Sequence, residues 1–163
     1  MPGRLIDDLP ESLRSVRTRP LFVMRLSSRM HVIGPTPGHI RRVGAISGGV
    51  FEGERLSGEV LDSGADWQTV RSDGAVTLDV RLVLKTDDEA MVGMIYRGIR
   101  HGPADILARI DRGEAVDPTS YYFRSTPVFE TAAPKYDWLN RLLAIGIGHR
   151  TAEGPIYSLY ELL

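Results

Sequence analysis

Between Val76 and Lys85 the chain alternates with period two: Val76, Leu78, Val80, Leu82 and Leu84 fall on one face, and Thr77, Asp79, Arg81, Val83 and Lys85 on the other. Successive side chains of a pleated strand point to opposite sides, so this is a strand with one face buried. A row of five aliphatics needs a covering layer, and the rest of the chain has to supply it.

Turn signals at short intervals show how. Gly34-Pro35-Thr36-Pro37-Gly38 stops a β-branched run over Leu21–Ser28, and Ser72-Asp73-Gly74 and Thr86-Asp87-Asp88-Glu89 bracket the alternating strand. Asp62-Ser63-Gly64 reads as a further hairpin turn between strands at 55–61 and 65–70. Val43–Phe51 carries Gly44, Gly48 and Gly49 in a strand-like pattern, where glycines mark a bulge, a bend or the close approach of another backbone. Met91–Arg100, Ser120–Thr131, Leu142–Gly148 and Pro155–Leu162 complete about eight strands. Two helical pieces break the pattern. One runs from Gly102-Pro103 to about Arg112 with Ile106, Leu107 and Ile110 as its stripe, and the other is a turn over Tyr136–Asn140. Residues 7–17 read as a short amphipathic helix on Leu9, Leu13 and Val16, within an N-terminal appendage of residues 1–19. Residues 20–163 then form one mainly all-β domain, a single antiparallel β-barrel, with a two-sheet sandwich as the competing architecture.

Composition narrows the chemistry. At 163 residues the chain buries enough surface for a core without staples. It has no cysteine, which removes thiol catalysis, disulfides and Cys-ligated metals. The 20 cations include only Lys85 and Lys135 as lysines and are balanced by 21 acids, so no basic field for nucleic acid is expected. No apolar run approaches a membrane span, and the first residues lack the apolar core of a signal peptide, so a cytoplasmic location is expected. His31, His39, His101 and His149 form no ligand motif, so no metal is expected. No Walker loop, dinucleotide fingerprint or nucleophile elbow occurs, and no cofactor is expected.

An eight-stranded barrel holds either side chains or one small ligand, so the face each polar residue takes decides its role. Asp79 and Arg81 share a face. If the aliphatic row packs inward they are surface charges, and if that row faces a subunit or a helix they line the lumen. Tyr122 and Arg124 share a face opposite to Tyr121 and Phe123. In a common lumen the two arginines must pair with Asp79, Glu130 or an anionic ligand, because an unpaired buried charge costs several kcal/mol. Asp66 and Gln68 point one way and Trp67 the other, which makes Asp66 a candidate base and Trp67 a candidate pocket wall. Tyr136, Trp138 and Asn140 lie beside Phe129 and Glu130, as packing over a barrel mouth or as a lid.

The spaced elements Gly48-Gly49-x-Phe51-Glu52-Gly53, Gly64-Ala65-Asp66-Trp67-Gln68, Arg71-x-Asp73-Gly74, Leu78-Asp79-x-Arg81, Lys85-Thr86-Asp87-Asp88, Tyr122-Phe123-Arg124, Phe129-Glu130-Thr131 and Tyr136-x-Trp138-Leu139-Asn140 resemble one family. It is known as domain of unknown function 3237, or uncharacterised protein family 0311. The likeness runs from about Leu21 to Leu162 and departs at Glu89, where a glycine commonly closes the turn. The resemblance implies a small barrel similar to the allene oxide cyclase and dirigent barrels, which hold hydrophobic or phenolic ligands and often form oligomers. It carries over no activity, because function resides in a site rather than a fold.

The expectation that follows is a barrel taking a small-molecule ligand, either as a cofactor-free isomerase or cyclase or as a binder without chemistry. A packed structural barrel is the third reading. The expected catalytic set is Asp79 or Asp66 as base, Tyr122 as acid, and Arg81 and Arg124 facing developing negative charge. Trp67, Gln68, Tyr96, Glu130 and Trp138 form the expected binding set. A homo-oligomer is expected from the apolar residues available to an outer barrel face.

Overall fold

The computed structural model describes residues 3–163. Nine antiparallel strands carry the chain: β1 (Thr18–Thr36), β2 (His39–Glu52), β3 (Ser57–Val60), β4 (Gly64–Val70), β5 (Val76–Thr86), β6 (Met91–His101), β7 (Tyr122–Glu130), β8 (Ala144–Thr151) and β9 (Gly154–Leu162). Sequence neighbours pair except β3 with β4, and β1 pairs with β2 on one edge and with β9 on the other. That second pairing closes the sheet into a meandering barrel.

The segments β3 and β4 do not form the hairpin expected at Asp62-Ser63-Gly64. Both pair with β2 and both with β5, so they are two halves of one strand position, interrupted at residues 61–63. Nine segments therefore occupy eight positions around the barrel. The reason lies in β2, which is long enough to template both halves and leaves them no cause to fold back on each other. Gly49 allows the tight packing here, since a Cβ at that position would run into the Arg25 carbonyl oxygen. The ladder between β1 and β2 shifts register at Ser27/Ser28, opposite Gly48, as the strand glycines lead one to expect.

The alternating row of β5 packs inward: Val76, Leu78, Val80, Leu82 and Leu84 are all buried. At one end of the barrel the interior is plugged by aromatic and aliphatic bulk. Phe22 meets Phe51 and Phe129 at ring-centroid distances of 5.3 and 5.9 Å, next to buried Leu84, Val92 and Leu139. A 3-10 segment over Pro134–Arg141 covers this end, pinned by the hydrogen bond that Tyr136 Oη donates to Asp88 Oδ1 (2.7 Å), an oxygen held in the turn by Thr86 Oγ1 (2.6 Å). Helix α1 (Ala104–Asp111) covers the opposite end. Its Ile110 is buried, and Ile106 and Leu107 pack against the core. Burying a side chain of this size contributes roughly 1.5–3 kcal/mol, which fixes the helix on the barrel mouth.

The N-terminal amphipathic helix does not form. Two short 3-10 turns, Leu5–Asp8 and Glu11–Leu13, stand in its place with Leu9, Leu13 and Val16 exposed. Pro10 interrupts helical hydrogen bonding between them, and no neighbouring surface takes up the apolar stripe. The first strand also begins earlier and runs further than Leu21–Ser28, because the β1–β2 hairpin continues past the barrel rim to Thr36. Val23, Val50 and Trp67 stand exposed on the outer face of the single chain. Among the described residues no helix is long and apolar enough to cross a membrane.

The turn after β5 places Glu89 in the left-handed region at φ 69°, the one non-glycine residue there among those described. Glu89 gains an exposed ion pair with Lys85 at 2.9 Å, which contributes little. Replacement by glycine removes the Cβ clash. Glu89→Gly is expected to raise unfolding stability by up to about 1 kcal/mol in urea melts, with no change in the denaturant slope.

Candidate functional site

At the α1 end the interior turns polar. Register sets this up: Gly44 pairs with Asp66, Asp66 with Val80, and Val80 with Tyr96, so these residues form consecutive rungs on the inner face. Gly44 contributes no side chain, and a gap of about 20 Å³ remains at the barrel centre, enough for a water molecule. Asp66 and Gln68 are only 7% and 6% exposed, and Gln68 Nε2 donates to Asp66 Oδ2 at 2.7 Å. Tyr96 and Tyr157 are both buried and meet edge to face at 5.5 Å, with Phe123 packed on Tyr157 at 5.4 Å.

Above this layer sit three guanidinium groups, from Arg42 on β2, Arg100 on β6 and Arg150 on β8. They line a second space of about 120 Å³ together with Met30, Gln68, Ile110 and Asp111. Met30, Gln68, Arg100 and Arg150 border both spaces, so the mouth and the centre are adjoining parts of one pocket. Arg100 is 6% exposed. Its charge lies 5.7 Å from the Phe123 ring centroid and 3.7 Å from Asp111, while Arg42 Nη1 donates to Asp111 at 3.3 Å.

The electrostatics follow from burial. Removing Asp66 from water pushes its carboxyl up from the ordinary 3.8 to about 6, against the Gln68 hydrogen bond, the Asp79 backbone and the charges of Arg100 and Arg42. Desolvation also pulls the Arg100 guanidinium down from its usual value, while Asp111 opposes that shift. The phenols of Tyr96 and Tyr157 are both pushed up by burial, so each holds its proton firmly and acts as a donor rather than a base. Four buried polar atoms lack a hydrogen-bond partner among the described residues: Asp66 Oδ1, Gln68 Oε1, Arg42 Nε and Arg100 Nε. All four belong to residues lining this one pocket. An orphaned buried polar group costs about 1–3 kcal/mol, so four around one space leave an unmet demand for hydrogen-bond partners at this end of the barrel.

Of the residues expected from the sequence, Asp66, Gln68 and Tyr96 lie in this pocket. The others do not, and their placement corrects the expectation. Asp79 and Arg81 are on the outer face, because the aliphatic row of β5 faces in; Asp79 pairs there with Arg97 at 3.6 Å. Trp67 is 51% exposed and shares a shallow outer depression with Asp79 and Arg81, so it is not a wall of the interior. Tyr122 and Arg124 also face out, with the Arg124 guanidinium 5.0 Å from the Tyr122 ring, while Tyr121 and Phe123 point in. Glu130 is exposed at the far end of β7, opposite Gly93. Trp138 covers the plugged end, stacked by Arg55 at 4.0 Å. A broad groove outside the barrel, lined by His101, Tyr122, Arg124 and His149, is larger than the interior pocket. It lies open to solvent, and the Tyr121 hydroxyl on its wall is already paired with His149 Nδ1 and the Arg150 N–H.

The family model described as "Protein of unknown function (DUF3237)" matches residues 16–162. This chain belongs to the DUF3237 family. An uncharacterised family 0311 protein of Rhodopseudomonas palustris is 40% identical over 124 residues, covering 76% of this chain and 81% of that one. The crystal structure of the conserved R. palustris protein superposes with a TM-score of 0.87 at 36% identity, over 91% of this chain and 99% of that one. A protein of Acinetobacter baumannii, described as β-barrel like, superposes at 0.79 with 39% identity, covering 91% and 97%. The same fold recurs in an enzyme from Penicillium herquei at a TM-score of 0.69 and 19% identity, covering 91% and 95%.

Sequence reasoning missed Arg42, Arg100, Arg150, Tyr157 and Asp111 in this DUF3237 barrel. A signal for one of them was present: Val92, Met94 and Tyr96 form an inward row in β6, and Arg100 is a charge closing that row. For the DUF3237 site the titration of Asp66 has a measurable consequence. Unfolded, its carboxyl ionises near 3.8, so between about pH 4 and 6 the unfolded chain gives up its proton before the folded chain does. Stability therefore falls as pH rises through that window, by roughly 3 kcal/mol if this group acts alone. Asp66→Asn is expected to remove most of that slope in paired melts and to be the more stable variant at pH 7.

Proposed function

We propose that the α1 end of the barrel is an active site for cofactor-free proton transfer on a small apolar molecule bearing a carbonyl or acidic group, as in an isomerase or a cyclase. The observation that carries this reading is the gathering of four unpartnered buried polar atoms around one pocket that also holds a carboxyl with pKa near neutrality. Asp66 is the base: above about pH 6 it is ionised, and its burial makes it a stronger proton acceptor than a solvated carboxylate. It takes a proton from carbon next to the carbonyl, leaving an enolate whose oxygen the Arg100 guanidinium faces. Tyr157 or Tyr96 donates a hydrogen bond to the same oxygen. Protonated Asp66 then returns the proton at another carbon, or the enolate carbon adds to a second carbonyl of the same molecule and Asp66 protonates the alkoxide that forms, so atoms and electrons balance within the substrate. The catalytic set expected from the sequence keeps only Asp66, and the cationic role assigned there to Arg81 and Arg124 passes to Arg100 and Arg42.

The Penicillium herquei enzyme supports the narrower point that a barrel of this shape accommodates catalysis, and at 19% identity it says nothing of the reaction. The alternative, a barrel that binds the same ligand class without turnover, uses the same arginines and leaves Asp66 idle. Small phenolic and carbonyl acids that raise the melting temperature serve as probes, with NMR in D2O reading deuterium uptake next to the carbonyl. Uptake is expected to rise with pH through about 6 and to fall at least about 100-fold in Asp66→Asn while the probe still binds. Binding with equal uptake in both proteins, or with none in either, would establish the non-catalytic barrel instead.

A further inference from the structure

The mouth of the pocket already contains a carboxylate. Asp111, the last residue of α1, places one oxygen 3.3 Å from Arg42 Nη1 and 3.7 Å from Arg100 Nη2. Two guanidiniums offer ten N–H donors. Among the described residues, this pair donates a single side-chain hydrogen bond, the one from Arg42 to Asp111. Arg150 adds a third positive charge at the same mouth. Asp111 is half-exposed and attached to a short helix, so it answers this demand only in part. The space beside it, about 120 Å³, accommodates a carboxylate group but not a whole drug-sized molecule while α1 is seated.

Beside the mouth the β1–β2 hairpin extends past the rim. Val32 pairs with Arg42 and Met30 with Gly44, and Ile40 stands two residues before Arg42 on the same strand, so Met30, Val32 and Ile40 present their side chains on the Arg42 face. All three are exposed, as an apolar apron leading away from a cationic mouth. A ligand with a charged head and an apolar body matches that order of surfaces.

We propose that Asp111 is a built-in occupant of an anion subsite, and that the natural ligand is a monocarboxylate with an apolar body. Its carboxylate takes the place of Asp111 between Arg42 and Arg100, α1 is released from the mouth, and the apolar body lies over Met30, Val32 and Ile40. This rests on the reading of the barrel interior as a ligand site, though not on the chemistry assigned to Asp66.

Octanoate, with octanol as its uncharged counterpart, probes the proposal by titration calorimetry on the full chain. Asp111→Asn keeps the shape of the side chain and removes the competing charge. It is expected to bind octanoate about tenfold more tightly than the parent, because the ligand no longer has to displace a resident anion. Octanol should bind both proteins weakly and alike, and Ile40→Ser should weaken octanoate but not acetate. If Asp111→Asn fails to fold, hydrogen exchange on the parent replaces it: octanoate should speed exchange of the α1 amides while slowing that of β6 near Arg100. Octanoate binding that Asp111→Asn leaves unchanged or weakens, or that leaves α1 exchange unaltered, overturns the inference while sparing the proposed site. Asp66→Asn should still bind octanoate, which separates this test from that of the base. Failure of octanoate to bind the parent, Asp66→Asn and Asp111→Asn alike would overturn the inference together with the ligand reading beneath it.

Discussion

The pairing of β1 with β9 is the constraint on which the rest of this structure depends. The ladder from Thr18↔Leu162 to Arg25↔Ile156 joins the first strand to the last, and a sheet closed in this way has only an inside and an outside. Each residue of each strand is then assigned to one of two environments by parity. The aliphatic row of β5 goes in, and so Asp79 and Arg81 go out. The same closure allows the two ends of the interior to differ. Phe22, Phe51 and Phe129 fill one end, while Asp66, Gln68, Arg42, Arg100 and Arg150 collect at the other.

That polar end is costly. A buried guanidinium with one partner at 3.7 Å, and a buried carboxylate with one of its oxygens unpaired, each lose hydration that the protein restores only in part. Filling the pocket with leucines would make a steadier core, in the way that well-packed apolar replacements often match or exceed buried ions. The aromatic plug at the far end and the anchoring of α1 by Ile110 offset the cost. Buried polar groups at one end and stabilising apolar bulk at the other are thus divided along one barrel axis.

Much of the architecture was legible in the sequence because its signals are local. The period-two row at residues 76–84, the turns at Gly74 and Glu89 and the glycines opposite the β1 register shift need no knowledge of distant partners. The hairpin expected at residues 62–64 failed because the partner that overrides it, the length of β2, is not written near that turn. The N-terminal helix failed because an apolar stripe means burial only where a surface exists to receive it. For the site, reading charges on the polar face of β5 as lumen residues was the error. The informative charges interrupt apolar rows: Arg100 follows Val92, Met94 and Tyr96 on the inner face of β6, and Asp66 is paired across the sheet with Val80. Arg42, Arg150 and Asp111 meet only through register and the placement of α1, which a single strand's periodicity does not contain.

The most direct test is the ionisation of one carboxyl. Carbon-13 NMR of aspartate-labelled protein, with Asp66→Asn to assign the resonance, follows the Asp66 side chain through a pH titration. A midpoint near 6 is the expected result, as burial beside unpartnered polar groups requires. A midpoint near 4, the value of a carboxylate in open water, would mean that solvent fills this end of the barrel and would contradict the central claim.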